Sequence, residues 1–400
     1  MLGVFSKVPT LRTTSARADT FIFKLHYKFT FAALITCCIL TCSYQFIGKP
    51  IQCIIQNKII REATINMYCW ISSTFSVPKY WNGPIGTDVA YPGLGNQYED
   101  DENAPVYHAY YQWVPFMLFF QALLFYTPHY IWRVWDGGRM KVICQGLNSV
   151  SMLLKHSDRQ KQEKVLSTHV VNHLHDNNGW AWRFVFCEVL NFINVIWNIR
   201  FTDIFLGNQF SKYGAKTLQH MREEYDRRDD PLTTVFPKVT KCTFHTYGPS
   251  GTIQRHDSLC VMALNIINEK IYVFIWFWFI ILAIITGLSL LYRIALLVSP
   301  GLRYKVLQRN CRNLGPSRLE TITRKCQYGD WFLLHSLGRN MNSFVFGEFM
   351  GDLSRVMDMG NADTLELRPL KPSAPLEKTE YSLADAPEDD KLATGKEHYA

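Results

Sequence analysis

Four residues in the second half of the chain have the types and spacing of a zinc site. They follow the pattern Cys-x2-His-x10-His-x3-Cys and are Cys242, His245, His256 and Cys260. Thiolate and imidazole groups are the usual ligands of structural zinc. The two cysteines could instead form disulfides, because Cys53 and Cys69 lie in another polar segment nearer the start of the chain. Disulfides persist in oxidising compartments, so the choice depends on which side of a membrane these segments occupy.

Four long apolar segments indicate that the chain crosses a membrane. They are residues 29–47, 110–132, 184–206 and 271–292. The last has 22 residues without a charged side chain, and a helix of that length spans roughly 33 Å, against about 30 Å for a bilayer core. The third carries Glu188, Arg200 and Asp203 and is the weakest of the four. The sequence therefore predicts an all-α polytopic membrane protein with four transmembrane helices.

Charge and cysteine placement predict which segments face the cytoplasm. Lys and Arg are more numerous beside the cytoplasmic span ends if both termini are inside, as the positive-inside rule requires. The two outer loops, residues 48–109 and 207–270, then hold two cysteines each. Even sets on one face fit an oxidising exterior, which favours disulfides over zinc and predicts a small crosslinked extracellular domain. The first span has no cleavage pattern after it, so it is expected to stay as a signal anchor.

The remaining segments are predicted to be cytoplasmic. They are the basic N-terminal residues 1–28, the polar loop 133–183 and the C-terminal part from residue 293. Residues 293–359 regain amphipathic character and predict a domain of packed helices. Residues 360–400 turn to Pro, Glu, Asp and Lys, a composition typical of disorder.

Two groups of ionisable residues are further candidates for a functional role. Glu188 lies about one turn inside the third span, and carboxylates within a membrane are functional candidates. Because it is close to the cytoplasmic end, it could instead snorkel or pair with Arg183. His169, His173 and His175 could sense pH or bind a metal ion, although a solvated cytoplasmic helix is the more common setting for such residues.

Several classes of function are excluded. The sequence has no glycine-rich phosphate loop, no His-Glu-x-x-His motif and no Gly-x-Ser-x-Gly motif, so we predict no enzymatic activity. The net charge of +8 is spread along the chain without the basic stripe of a nucleic-acid-binding protein. No cofactor or metal ion is expected, and the lipid bilayer is an expected partner.

The residues that open the second span are similar to the signature pentapeptide of the innexin family, the pannexin-related gap-junction proteins of invertebrates. They are Tyr110, Tyr111, Gln112, Trp113 and Val114. Other stretches also resemble arthropod innexins: residues 44–51, 69–71, 238–251, 276–278 and 329–334. The resemblance covers residues 20–357, almost the whole chain.

The resemblance implies a fold and a set of site residues. Innexins have four transmembrane helices, cytoplasmic termini and two disulfides between their extracellular loops. The family pairing, carried onto this chain, is Cys53 with Cys260 and Cys69 with Cys242. Pore-lining residues would lie between Met1 and Lys28 and between Gly48 and Asn66.

The implied function is that of a structural subunit of gap junctions in the plasma membrane. Subunits would assemble with themselves or with other innexins into a hemichannel, octameric in the family. Two hemichannels from adjacent cells would dock and form a passive channel for ions and small molecules. Two alternatives stay open here: an undocked hemichannel that releases small solutes such as ATP, and a non-conducting four-span adhesion or scaffold protein.

Overall fold

A computed structural model of the protein describes residues 18–56, 60–81, 83, 85–95, 104–144, 156–222, 231–311 and 314–359. All but the last two of these residues belong to one unit, Met1–Met357. Three parts of the predicted pore segments and tail lie outside the described residues. They are residues 1–17 of the N-terminal pore segment, residues 57–59 of the second pore segment, and the tail 360–400.

Fourteen α-helices and five β-strands make up the described part of the chain. The helices are α1 (Phe21–Lys24), α2 (Phe31–Ile47), α3 (Glu62–Ser72), α4 (Val114–Asp136), α5 (Arg139–Ile143), α6 (His156–Asn172), α7 (Asn178–Phe205), α8 (Phe210–Arg222), α9 (Pro231–Val235), α10 (Ala263–Val298), α11 (Pro300–Asn310), α12 (Pro316–Lys325), α13 (Tyr328–Asn340) and α14 (Ser343–Met359). The strands are β1 (Gln52–Ile54), β2 (Thr74–Ser76), β3 (Val106–His108), β4 (Val239–Tyr247) and β5 (Ile253–Val261). A π-helix, Leu25–Thr30, joins α1 to α2 in one continuous helix.

Four helices are long and apolar enough to cross a membrane: Phe21–Ile47, α4, α7 and α10. The predicted four-span architecture is therefore confirmed. Helix α10 has 36 residues, which is roughly 54 Å and well above the roughly 30 Å of a bilayer core. Its additional turns lie on both sides of the apolar segment 271–292 and carry the helix into the domains at each end of the bundle.

A proline inside α4 is compensated by its neighbour α7. Pro128 has no N–H, so the backbone carbonyl of Leu124, one turn earlier, loses its helical donor. The side-chain amide of Asn194 on α7 donates to that carbonyl at 3.2 Å. Pro115 lies in the first turn of α4, where no helical hydrogen bond is lost. A freed carbonyl within a membrane needs such a partner, so Asn194 fixes α7 beside α4.

A five-stranded antiparallel sheet forms at the end of the bundle where α2 ends and α10 begins. The strand order is β1-β5-β4-β2-β3, so the β4–β5 hairpin lies between strands from the earlier segment 52–108. The sheet is an addition to the all-helical prediction. The sequence pattern does not reveal it, because β1, β2 and β3 have three residues each and are too short to show alternation. We call β1–β5 and α3 the crosslinked domain.

At the opposite end of the bundle, helices α11–α14 pack with α6 and the start of α7 around one apolar core. Helix α13 lies at its centre, since Trp331, Phe332, Leu334 and Leu337 are almost completely buried. The predicted domain of packed helices is therefore present. We call α5, α6 and α11–α14 the helical domain.

Candidate functional site

Two disulfides join the two chain segments that build the crosslinked domain. Cys53 in β1 lies directly opposite Cys260 in β5 and is bonded to it. Cys69 in α3 is bonded to Cys242 in β4. All four side chains are buried in one cluster. The structure thus contains the two bonds that the family resemblance implies, and they link residues 207 and 173 positions apart in the sequence.

These bonds replace the zinc site that the sequence pattern allows. The sulfur atoms of Cys242 and Cys260 are bonded to other cysteines, so they are not thiolate ligands. His256 lies opposite Phe244 in the β4–β5 hairpin, and its Nε2 atom is 2.7 Å from the Thr246 hydroxyl. The Cys-x2-His-x10-His-x3-Cys pattern therefore belongs to a disulfide-bonded hairpin.

The signature pentapeptide ties the crosslinked domain to the membrane helices. Residues Tyr110–Gln112 form a short 3-10 turn just before α4. The Tyr111 hydroxyl lies 3.4 Å from the Cys69 carbonyl and 3.3 Å from the Trp70 carbonyl and donates toward both. The side-chain amide of Gln112 donates to the same Trp70 carbonyl. Because Cys69 carries a disulfide, these contacts fix the start of α4 to a covalent crosslink.

The other members of the pentapeptide anchor the turn in the bundle. The Tyr110 ring is partly buried and contacts Phe236 edge-to-face at 5.6 Å. Val114 is completely buried in the core of the bundle, whereas Trp113 is exposed. An exposed Trp at the end of a membrane helix is typical of the membrane–water interface.

The turn of the β4–β5 hairpin presents an apolar tip. Tyr247 and Ile253 lie opposite each other in the last pair of the ladder and are 80% and 65% exposed. The turn between them contains Gly251 at φ +81°, a left-handed backbone conformation that glycine adopts without strain. Exposed apolar side chains at the tip of a crosslinked hairpin are typical of a surface that binds another protein.

The predicted pore segment 48–66 connects α2 to the crosslinked domain. Ile51, Cys53 and Ile65 point into the domain and are buried. Arg61 and Glu62, at the start of α3, are exposed and carry opposite charges. The described residues of the segment thus include buried apolar residues that pack into the domain and, at the start of α3, polar residues that are exposed in this single chain.

Glu188 pairs with Arg293, and this corrects the prediction that it snorkels or pairs with Arg183. The Arg293 guanidinium donates two hydrogen bonds to the Glu188 carboxylate, at 2.8 and 2.7 Å. Both residues are only 6% exposed, whereas Arg183 is exposed. The Phe184 and Phe332 rings lie 5.6 and 5.5 Å from the guanidinium and shield it. The pair joins α7 to α10 and, through Phe332, both of them to α13.

The predicted fourth span ends at Tyr292, so the sequence puts Arg293 at the start of the C-terminal part. In the structure α10 continues for six residues beyond Tyr292, so Arg293 is part of this helix. Its side chain lies against α7, where it contacts Glu188. An isolated arginine directly after an apolar segment, with an intramembrane carboxylate elsewhere in the chain, is the signal that points to such a pair.

The three histidines have different environments. His169 on α6 and His173 just after it are exposed, with their rings 4.6 Å apart, as the interpretation of a solvated helix predicts. His175 lies in the loop between α6 and α7 with φ +77°, a rare conformation for a residue other than glycine. Its backbone N–H and its Nδ1 atom contact the Asp330 carboxylate at 3.0 and 3.2 Å.

Asp330 is the residue that holds this loop to α13. Its carboxylate is completely buried and also accepts hydrogen bonds from the Asn177 side chain at 2.9 Å and the Gln327 backbone at 3.2 Å. Sequence reasoning noted Asp330 only as part of a family-like stretch. The signal that could have found it is the spacing Gln327-x2-Asp330 at the start of a helix, which forms a capping box here.

Comparison with known proteins gives a consistent result. The family model described as Innexin matches residues 19–357. Innexin inx2 of Drosophila melanogaster is 46% identical over 370 residues, which cover 92% of this chain and 99% of that protein. Innexin inx2 of Schistocerca americana is 45% identical over 359 residues, 90% of this chain and 99% of that protein. Innexin shaking-B of Drosophila melanogaster is 36% identical over 355 residues, 88% of this chain and 94% of that protein.

Proposed function

Because the chain belongs to the innexin family and is a structural subunit of gap junctions, we propose that it assembles into octameric hemichannels that dock between cells. The ring would contain this chain alone or this chain together with other innexins. Two docked rings would conduct ions and small molecules passively, with selectivity set by pore width and lining charge. The protein is a multi-pass protein of the plasma membrane, and we propose a channel role without catalysis.

The observation that carries the docking proposal is the construction of the crosslinked domain. Strands from two distant segments form one sheet, and two disulfides bind them covalently. A rigid sheet presents the same surface whether or not a partner is bound, so little conformational entropy is lost on docking. The exposed pair Tyr247 and Ile253 lies at the tip of the hairpin of that sheet.

The same disulfides support an orientation with cytoplasmic termini. Disulfides persist on the oxidising side of the plasma membrane, so the crosslinked domain would face the extracellular space. With four spans, an even number, both termini would lie on the side opposite that domain. The helical domain and the tail 360–400 would then lie in the cytoplasm.

We further propose that the pore is lined by residues of the N-terminal segment 1–28 and of the segment 48–66. The polar, exposed start of α3 at Arg61 and Glu62 supports the second assignment, because a water-filled pore needs polar walls. Eight copies of these charges around an axis would form rings of both signs.

The test is electrical coupling between two cells that both express the protein. We expect junctional conductance between paired cells and its loss when Tyr247 and Ile253 are both replaced with Asp, because charge at the tip would oppose docking. Membrane current or dye uptake in single cells should be unaffected in this variant. Tyr107→Asp, at an exposed position on the edge strand β3, is the matched control.

Each alternative function gives a different result. An undocked hemichannel would give single-cell dye uptake without junctional conductance in the unmodified protein. An adhesion or scaffold protein would cluster cells without any current. Absence of coupling, alone or with any co-expressed innexin, would overturn the gap-junction channel.

A further inference from the structure

Residues 18–30 connect the N-terminal segment to the bundle through contacts with several other helices. Ala18 and Asp19 are buried, although they lie at the very beginning of the described chain. Phe23 stacks on Phe184 of α7 at 5.5 Å. The Tyr27 ring stacks on His129 of α4 at 3.6 Å with the two planes 5° apart. The start of the first span is therefore held in place before the span enters the bundle.

Asp19 accepts two hydrogen bonds, one from the first span and one from the helical domain. The Tyr27 hydroxyl donates to the Asp19 carboxylate at 2.9 Å. The Arg339 guanidinium, on α13 of the helical domain, donates to the Asp19 backbone carbonyl at 3.3 Å. Asp19 is thus the point where the N-terminal segment, the first span and the helical domain meet.

The π-helix that follows is fixed to α10 by two further hydrogen bonds. The Thr286 hydroxyl donates to the Leu282 carbonyl, so His26 Nε2 donates to the Thr286 oxygen at 2.9 Å. The Trp278 indole N–H donates to the Thr30 hydroxyl at 2.9 Å. A π-helical turn costs stability relative to an α-helix and often marks a functional position. These polar contacts fix residues 25–30 to α10, and Asp19 lies N-terminal to them.

We propose that Tyr27 and Arg339 are positioning residues for the pore: through Asp19 they hold the attachment point of residues 1–17 and couple it to α13. The inference rests on the proposed function, in which the N-terminal segment lines the pore. A shift of α13 moves Arg339 and pulls on the Asp19 backbone. Tyr27 resists that pull, because its ring is stacked on α4. Movement of the helical domain is thereby transmitted to the pore entrance.

The test compares two variants that each remove one bond to Asp19. Tyr27→Phe keeps the ring on His129 and loses only the hydroxyl. Tyr126→Phe is its matched control, because Tyr126 contacts the same His129 ring and its hydroxyl has no partner within the described residues. Arg339→Ala is compared with Arg355→Ala, which removes an exposed arginine that pairs with Asp352 in the same domain. Arg339→Lys retains a donor.

Two readouts are measured on the full-length protein. In purified rings, hydrogen exchange of amides 18–24 should be about threefold to tenfold faster in Tyr27→Phe and Arg339→Ala, as expected for one lost hydrogen bond. In paired cells, the voltage of half-maximal junctional conductance should shift in both variants while surface expression stays normal. The double variant should shift no more than the larger single one, because both bonds act through Asp19. Arg339→Lys should restore most of the unmodified behaviour.

Two results would overturn the inference. The first is that Tyr27→Phe and Arg339→Ala show the same hydrogen exchange and the same voltage dependence as their controls, Tyr126→Phe and Arg355→Ala. The second is that the voltage shift of the double variant equals the sum of the shifts of the two single variants. If the unmodified protein did not couple cells at all, the proposed function would fail, and the hydrogen-exchange comparison would still decide whether the two bonds hold the segment.

Discussion

The two domains at the ends of the bundle are stabilised by different kinds of bond. The crosslinked domain has two disulfides, a continuous sheet and the hydrogen bonds of Tyr111 to the helix that carries Cys69. The helical domain packs on the bundle through the Asp330 hydrogen bonds and through aromatic contacts, among them Phe332 on Arg293 of the buried Glu188–Arg293 pair. One domain is closed by covalent crosslinks, and the described residues of the other are held by non-covalent contacts.

Because of this difference, we expect the crosslinked domain to be rigid and the helical domain to respond more readily to changes in conditions. A domain closed by disulfides keeps its shape until a bond is reduced, which suits a surface that must fit a partner across a gap between cells. Polar contacts break one at a time and respond to charge and protonation, and ligand-responsive elements are drawn from such less stable regions. Under the proposed function, docking would belong to the crosslinked domain and control of conduction to the helical domain.

The largest effect is expected from breaking the covalent crosslinks. Replacing Cys53, Cys69, Cys242 or Cys260 with Ser opens a loop of more than 170 residues and should cost about 5 kcal/mol in the chain-entropy model. We expect loss of assembly and of junctional conductance. Both are measured by surface labelling and by recordings from paired cells.

Cys144→Ala is the control for the cysteine variants. Cys144 is a free cysteine buried in the core of the helical domain, and burial raises the pKa of its thiol to about 11, so it stays neutral. Its replacement should leave coupling close to normal. Equal tolerance at all five positions would contradict the covalent half of the comparison.

The sequence carried most of the information about the covalent end. Four apolar segments, an even distribution of cysteines and the Tyr110–Val114 pentapeptide were enough to predict the spans and the crosslinked domain. The sheet was not predictable, because strands of three residues have no visible period and their pairing with β4 and β5 is set by tertiary contacts. The position of the disulfides within that sheet could be found only from coordinates.

A second, intermediate effect is expected at the non-covalent end. Glu188→Gln leaves the buried Arg293 cation without its counter-charge, and loss of one partner of a buried pair costs about 3–5 kcal/mol. We expect a clear drop in thermal stability of the purified protein. The double variant Glu188→Met with Arg293→Met should recover much of it, because no charge then remains buried.

Arg183→Gln is the matched control for this charge. Arg183 is exposed, so its loss should change thermal stability by less than about 0.5 kcal/mol. If Arg183→Gln destabilised the protein as much as Glu188→Gln, the buried Glu188–Arg293 pair would not be what stabilises this end of the bundle.

The sequence was a poorer guide to this end of the molecule. Glu188 was found as a candidate because a carboxylate in a span is rare, but its partner is 105 residues away. Arg183 was the expected partner of Glu188 because it is close in sequence. On α7, however, Arg183 faces outward and Glu188 faces α10. No pattern in the sequence indicates the contacts of Asp19 with Tyr27 and Arg339. Such long-range polar contacts depend on how whole helices pack.

The smallest effect is expected from protonation of a buried histidine. It tests whether acid destabilises the helical domain more than the crosslinked domain. His335 on α13 stacks on Trp331 at 5.2 Å, and burial, followed by the nearby Arg339 and Arg293, lowers the pKa of His335 from 6.5 to about 4. Between these values the unfolded chain binds a proton that the folded chain does not, so stability falls as pH drops from about 6.5 toward 4. His335→Phe keeps a ring on Trp331 and should flatten this part of the pH dependence of thermal stability.

His108 gives the same comparison at the covalent end. Burial lowers the pKa of His108 to about 4 as well, and its Nε2 atom lies 2.8 Å from the Ser76 hydroxyl on the neighbouring strand. Because the sheet is crosslinked, protonation there should open the structure less than protonation of His335. When limited proteolysis at pH 7 and pH 5 is compared, we therefore expect the lower pH to expose the helical domain to cleavage first. His335→Phe should delay that cleavage. His245→Phe, at an exposed strand position, should not. Earlier cleavage in the crosslinked domain would reverse the assignment of rigidity, because the end with disulfides would then be the one that acid opens.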